Sequence, residues 1–321
     1  MKSIIIDALG ADLGQSELAS GVALGADNKH HFVFFGESAV IDPIMKDSGV
    51  SYEVRESSDC FSNCENPMTI VRGRETSSLS MALDALKGED DCSGLISAGS
   101  TGALLIGSVF RAGLIGNMKF PSLCSLLPRS DKKMICLLDC GANVNPTADD
   151  LLLFARLGSA FMAGYYGIAS PKVALLCVGS EKGKGNELAR AAYPLIEDSS
   201  LNFAGNIEAD AVFTSDVDVL VADGFTGNIF LKNTESVAQY ISGALMGIGE
   251  DDPATVKAIR ERIFSMFYYN DQAGAILLGC KKPIIKVHGK ANRNTIASAI
   301  AQLCDIDDSG VFEKIPEIID K

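Results

Sequence analysis

Six times along this chain a short apolar run breaks into a loop of small polar residues with glycine. The loops read D-A-L-G-A-D from Asp7, S-A-G-S-T-G-A from Ser97, D-C-G-A-N-V-N-P-T from Asp139, V-G-S-E-K-G-K-G-N from Val178, A-D-G-F-T-G-N from Ala222 and V-H-G-K-A-N from Val287. Helix-like stretches lie between the apolar runs, so the chain alternates β and α elements from end to end. That alternation predicts an α/β fold with a mostly parallel sheet and helices on both faces. In an open parallel sheet such loops gather at the carboxyl edge of the strands, where ligands bind. Turns of glycine and asparagine also serve as plain connections, which accounts for some of the six.

Strands are expected over Ser3–Ala8, Phe32–Phe35, Gly94–Ser97, Ser122–Leu127, Met134–Asp139, Val173–Val178, Leu201–Ile207, Val217–Ala222 and Ile284–His288. Helices are expected over 103–114, 149–166, 228–246, 253–267 and 292–303, with one more opening at Glu187 behind an Asn186 cap. The acidic tail from Asp305 reads as peripheral. No linker, low-complexity tract or charge block marks a boundary, so residues 1–321 read as a single domain.

Composition narrows the function. Hydrophobic residues make up 47% of 321, with 31 glycines, which suits a globular enzyme rich in tight turns. A formal net charge of −13 argues against nucleic acid and against broad attachment to anionic lipid. Nine cysteines are scattered without a C-x-x-C; Cys60 and Cys64 are the one close pair, with no histidine near. This spacing argues against zinc and for a reducing cytoplasm. There is no basic-then-apolar leader, and no apolar run reaches the ~18 residues of a membrane span.

Val173 to Arg190 holds the most chemistry. A buried apolar run ends in a turn carrying Gly179, Lys182, Gly183, Lys184 and Gly185, and Asn186 then caps a helix. Backbone N–H groups, a helix N-terminus and lysine ammonium groups together suit one anion, a phosphate or phosphoryl group. The turn is not a Walker A loop: three residues separate Gly179 from Gly183-Lys184, and Gly185 follows the lysine. A solvated glycine–lysine loop would look the same. Elsewhere, Ala98 to Gly102 is a near miss to a nucleophile elbow, with His288 as a candidate base for a Ser100 triad. The reading that uses more loops sets Lys184 beside donors from Asn143, Asn228, Ser100 and Thr101, for phosphate or an acyl-transfer oxyanion. Asp7, Asp12, Asp139 and Asp223 would repel phosphate directly and read better as orienting, turn or cap residues.

Seven segments together resemble one known family. They are Ser97–Ala103 (S-A-G-S-T-G-A), Leu126–Arg129 (L-L-P-R), Leu138–Val144 (L-D-C-G-A-N-V), Glu181–Leu188 (E-K-G-K-G-N-E-L), Leu201–Glu208 (L-N-F-A-G-N-I-E), Ala222–Asn228 (A-D-G-F-T-G-N) and His288-Gly289. Their order and spacing resemble the phosphate acyltransferases of bacterial phospholipid synthesis over nearly the whole chain. The resemblance implies a three-layer α/β/α sandwich with a mostly parallel mixed sheet, like isocitrate and isopropylmalate dehydrogenases and phosphotransacetylases, in two intertwined lobes. It implies acyl-[acyl-carrier-protein] and inorganic phosphate as substrates, a homodimer, and no metal or organic cofactor. A downstream glycerol-3-phosphate acyltransferase is an implied partner, with peripheral membrane contact of an otherwise cytoplasmic protein. The rivals are a short-chain phosphotransacetylase using coenzyme A thioesters and a non-catalytic phosphate-binding relative.

On this reading Lys184, Asn228 and His288 are catalytic, and Ser100, Thr101, Gly102, Asn143, Gly183, Gly185, Asn186, Asp223 and Gly227 bind phosphate or substrate. Lys257, Arg260, Arg262, Lys281 and Lys282 are candidates for docking an acidic carrier protein. Val256, Ile259, Ile263 and Phe267 share one helical face, suited to the core, a dimer interface or a bilayer surface. The chain departs from the family's usual pattern at Leu9 and Ala11, at Arg72 to Glu75, through Gln272–Gly279, and at Lys290-Ala291.

Overall fold

Three consecutive isoleucines, Ile4 to Ile6, put apolar side chains on both faces of one strand, and all three are fully buried. A strand covered on both faces is the signature of a parallel sheet with helices packed above and below. This strand, β1 (Lys2–Asp7), pairs in parallel with β2 (His30–Gly36) and β4 (Cys92–Ser97). The computed structural model describes residues 1–62, 64–116, 118–248, 257–259 and 274–319. It divides into two compact units, Met1–Pro121 with Asp271–Lys321, and Ser122–Asn270.

In the first unit the strand order runs from β3 (Tyr52–Glu56) through β2, β1 and β4 to β11 (Ile284–Lys286) and β10 (Ala275–Leu278). All neighbours are parallel except β10 and β11. Helices α1 (Gln15–Gly25), α2 (Ser38–Met45), α3 (Ser78–Gly88) and α4 (Thr101–Gly107) follow these strands. In the second unit β5 (Ser122–Pro128) pairs antiparallel with β6 (Met134–Leu138), which then lies parallel to β9 (Val219–Val221). Strand β7 (Lys172–Leu176) is parallel to β9 and to β8 (Asn202–Ile207). Helices α5 (Ala148–Tyr166), α6 (Glu187–Glu197) and α7 (Gly224–Ile248) complete this unit. The chain closes in the first unit with α8 (Arg293–Ser309), packed on α1 and β4, and α9 (Val311–Ile319). Each unit is thus a mostly parallel mixed sheet flanked by helices. Because β1, β4 and β11 are parallel, and so are β6, β7 and β9, each unit gathers three of the six loops at one sheet edge.

Four expectations change. The run from Val173 leaves the sheet after Leu176: the Cys177 N–H makes the last sheet bond, to the Ile207 carbonyl, and Val178 is 81% exposed. The helix expected from Ala103 ends at Gly107 in a π-turn over Ser108–Ala112, closed where Gly113 takes φ 90°. Helix α7 begins at Gly224, four residues before the expected start, so most of the A-D-G-F-T-G-N loop is its first turn. The tail from Asp305 is not peripheral, since Ile306, Val311 and Ile315 are buried at 0–1% exposure. Strand β3 was missed because it is a half-exposed edge strand whose Y-E-V-R-E lacks a clear apolar face. Of the helix expected over 253–267, only Lys257 to Ile259 are described, and they are helical. Val256, Arg260, Arg262, Ile263, Phe267, Gln272 and Ala273 lie outside the described residues.

Candidate functional site

The second unit's edge is built around a buried carboxylate. Strand β6 delivers Asp139, 0% exposed, into the bend that follows. Its Oδ1 accepts the N–H groups of Leu123 at 3.3 Å, Gly141 at 3.0 Å and Ala142 at 3.0 Å. Its Oδ2 accepts the Asn143 N–H at 2.6 Å and the Asn143 side-chain amide at 2.7 Å. Burial pushes the Asp139 carboxyl above its usual value while these donors pull it down, and burial prevails. Asp139 is therefore a turn builder, as expected. The Asn143 side chain, read as an open donor, gives a hydrogen bond to Asp139 instead.

Helix α7 sits on that bend without a side chain between them. A Cβ on Gly227 would stand 2.0 Å from the Asp139 carbonyl oxygen, and one on Gly224 would stand 2.7 Å from the Asn143 carbonyl oxygen. No other residue fits at either position without moving backbone. The Gly224 N–H donates to the Asn143 carbonyl at 2.8 Å. Asp223, read both in the substrate set and as a turn or cap residue, caps α7: its carboxylate accepts the Thr226 N–H at 2.8 Å and the Thr226 hydroxyl at 2.7 Å. Asn228 falls in the first turns of α7, exposed, with no side-chain hydrogen bond among the described residues. A methyl on Gly141 would meet its amide oxygen at 3.5 Å, so the amide lies over the bend.

The glycine–lysine turn separates its two lysines. Lys182 forms an ion pair with Glu197 of α6 and lies 5.4 Å over the Tyr193 ring. Lys184 is exposed, and among the described residues its ammonium has no hydrogen-bond or ion-pair partner. Its aliphatic stem crosses buried Gly179, where a Cβ would meet Cγ at 3.0 Å. The turn closes through the Lys184 N–H on the Glu181 carbonyl at 3.0 Å, and the Asn206 side-chain amide donates to the same carbonyl at 3.0 Å. Asn206, from the end of β8, is a residue the sequence reading gave no role. Its buried amide oxygen has no partner among the described residues. Gly185 needs φ +104°, and a Cβ there would also meet the Cys177 sulfur at 2.9 Å. Asn186 caps α6 as expected, accepting the Ala189 N–H at 2.8 Å. Gly183 is exposed, with open space where a Cβ would go.

The first unit's edge centres on Asp7, 1% exposed, which accepts hydroxyl bonds from Ser78 and Ser97, each at 2.6 Å. The Gly99 N–H donates to Ser97 Oγ at 3.1 Å, and a Cβ on Gly10 would stand 2.2 Å from Gly99 Cα. The D-A-L-G-A-D and S-A-G-S-T-G-A loops therefore touch backbone to backbone. Ser100 caps the short helix α4, Thr101 is its first residue, and Gly102 packs against Pro67. His288 is exposed, and its Nδ1 accepts the Lys290 N–H at 3.1 Å. A backbone N–H only donates, so the neutral ring carries its proton on Nε2. Among the described residues no hydrogen bond joins Ser100 to His288, so the triad reading is not built here.

Burial raises the Asp7 carboxyl above its ordinary value despite the two serines. The unfolded chain therefore loses this proton first as pH rises, and Asp7 subtracts stability above its folded-state value. The penalty is relieved as pH falls through that value toward the ordinary carboxylate range. Urea unfolding of wild type and Asp7→Asn is expected to show the wild type gaining relative stability as pH drops from neutral. A gap that is constant, or that moves the other way, contradicts this.

The docking candidates divide as well. Lys281 is exposed beside Gly113, and Lys257 is exposed. Lys282 donates to the Glu89 carbonyl and is half-buried, so it is not an open cation. Arg260 and Arg262 lie outside the described residues. Among the described residues no helix is long and apolar enough to cross a membrane.

Comparisons with known proteins agree with the motif resemblance. Residues 2–314 match a family described as fatty acid synthesis protein. A phosphate acyltransferase of Brevibacillus brevis is 34% identical, over 99% of this chain and 97% of its own length. One from Streptococcus pneumoniae is 35% identical, over 94% of each chain. Among solved structures, a phosphotransacetylase from Streptococcus pyogenes superposes with a TM-score of 0.65 at 16% identity, covering 97% of this chain and 94% of its own. That likeness establishes the phosphotransacetylase-like fold expected from the sequence. The chain belongs to the fatty acid synthesis protein family, among its phosphate acyltransferases.

Proposed function

We propose that this chain transfers a long-chain fatty acyl group from acyl-[acyl-carrier-protein] to inorganic phosphate. The acyl phosphate formed would then serve glycerol-3-phosphate acylation in phospholipid synthesis. As a family member the chain is an acyltransferase whose substrates are phosphate and an acyl donor. The observation that carries the reading is the ammonium of Lys184, without a partner among the described residues and held on a glycine turn beside the α6 N-terminus while Lys182 is tied down.

A phosphate oxygen attacks the thioester carbonyl, and the carrier thiolate leaves. A thiol pKa of about 8.5 makes it a fair leaving group that needs little acid help. The enzyme's work is to hold phosphate close and to stabilise the oxyanion, with no covalent enzyme intermediate. Lys184 supplies the charge and Asn228 the open amide. Gly183 and Gly185 let the turn's backbone approach the anion, and Gly227 keeps α7 against the Asp139 bend. Ser100, Thr101 and Gly102 present the start of α4, where Ser100 acts mainly as a cap. Asn143, Asn186 and Asp223 act through the backbone they hold. His288, whose Nδ1 accepts the Lys290 N–H, is suited to hydrogen-bond the attacking phosphate or the departing thiolate through Nε2. The protein works as a homodimer in the cytoplasm, with peripheral membrane contact that delivers product to a glycerol-3-phosphate acyltransferase.

Hydroxylamine trapping tests the product directly. The long-chain hydroxamate should form from palmitoyl-[acyl-carrier-protein] only when phosphate is present. Hydroxamate formed equally without phosphate would mean direct aminolysis of the thioester, not acyl transfer to phosphate. For docking, Lys257→Glu with Lys281→Glu is expected to raise KM for carrier-bound acyl groups while leaving a small thioester unaffected. Equal loss with both substrates would remove these lysines from carrier recognition.

A further inference from the structure

At the opposite edge of the first unit's sheet, three potential metal ligands from distant parts of the sequence converge. His30 is the first residue of β2 and is 6% exposed. Its Nδ1 lies 2.8 Å from Asp27 Oδ1, in the turn after α1, and 3.7 Å from Cys304 Sγ, on α8. The three ligand atoms all lie within 4.8 Å of one another. We propose that Asp27, His30 and Cys304 form a binding site for a zinc ion that clamps the α1–β2 turn to the last turns of α8.

The chemistry selects the ion. Imidazole with thiolate suits zinc among common divalent cations, whereas magnesium and calcium take oxygen ligands. Zn–N of about 2.0–2.1 Å and Zn–S of about 2.3 Å imply an N-to-S edge near ~3.5 Å in a tetrahedral site. The observed 3.7 Å is close to that edge without backbone movement. Three protein ligands leave the fourth position to water, and the Asp27 side chain, 38% exposed, opens the site to solvent. Asp305, Asp307 and Asp308 add their negative field at Cys304, which favours a cation there. On binding, zinc takes the place of the thiol proton on Cys304, which goes to solvent, and of the proton between His30 and Asp27, which moves through solvent to His30 Nε2 and leaves Nδ1 free to ligate. The wide separation of Cys304 from Asp27-x-x-His30 hid this set from a reading based on cysteine spacing, which expected no metal.

The competing account is a hydrogen-bonded turn. Asp27 Oδ1 also accepts the Lys29 and His30 N–H groups at 3.0 and 3.1 Å, and so fixes the start of β2 with no metal. Cobalt(II) separates the two. The full chain carrying Cys60→Ser and Cys64→Ser, which removes the two exposed thiols, is stripped with chelator and titrated with cobalt. One equivalent should give tetrahedral ligand-field bands and a sulfur-to-cobalt charge-transfer band, both displaced by zinc. Adding Cys304→Ser should abolish the charge-transfer band, and Asp27→Asn, which keeps the turn's acceptor, should weaken binding at least about tenfold. Zinc should raise the unfolding midpoint of the background protein but not of its Cys304→Ser form. No charge-transfer band at one equivalent overturns the site, as does a band or a zinc-induced shift that survives Cys304→Ser.

Discussion

Lys184→Ala is expected to lower kcat by about 10²–10³-fold, the usual loss when one oxyanion or phosphate donor is removed. The substitution should leave the fold unchanged, because the ammonium has no partner among the described residues and its stem lies on the surface over Gly179. Stability separates this from a structural effect: the unfolding midpoint should stay within that of the wild type. Lys182→Ala is the matched control. Its ammonium already serves Glu197 and Tyr193, so its loss should touch α6 and leave turnover near wild type. The reverse pattern, with Lys182 essential and Lys184 dispensable, would move the anion site to the other side of the turn. Lys184→Arg is a finer probe. Arg keeps the charge but carries a wider fork, so partial rescue is expected if charge dominates and little if the pocket is tight.

Asp139→Ala should destabilise the protein by at least about 3 kcal/mol, because it removes the buried acceptor of several donors at once. Among the described residues five hydrogen bonds converge on this buried carboxylate, four from backbone N–H groups and one from the Asn143 side-chain amide. Stability totals of about 5–15 kcal/mol make such a loss visible by urea or thermal unfolding. Asp139→Asn should cost less, since its oxygen still serves the donors on one side while its amide faces the Asn143 N–H on the other. The bend also seats α7 through Gly224 and Gly227, so activity should fall with the fold. An Asp139→Ala protein of wild-type stability that is inactive would instead place the carboxylate in the chemistry.

What the sequence disclosed follows from which interactions are local. The Asn186 cap, the α5 helix and the alternation of strand and helix depend on neighbours a few residues away, and they are where periodicity and cap residues place them. The family was equally legible, because its motifs hold backbone turns that tolerate few residues. The fates of Lys182, Asn143 and Lys282 were not. A lysine in a glycine turn looks the same whether it faces an anion or Glu197, and Glu197 lies ten residues along α6. Lys282 ends on a carbonyl 193 positions away in sequence. Val178 was read into a strand because hydropathy cannot tell a buried valine from one that is 81% exposed. The acidic tail misled in the opposite direction, since its aspartates concealed Ile306, Val311 and Ile315 on the inner side. Asn206 left one trace, a polar residue next to the last of its strand, and its partner is the carbonyl that shapes the Lys184 turn.

The most direct test of acyl transfer to phosphate is release of free carrier thiol from palmitoyl-[acyl-carrier-protein], with and without phosphate, beside acetyl-coenzyme A. Rapid release from the long-chain carrier that stops when phosphate is omitted is the predicted result. Preference for acetyl-coenzyme A would keep the chemistry and contradict the long-chain donor. Release from neither substrate would contradict the proposed reaction altogether.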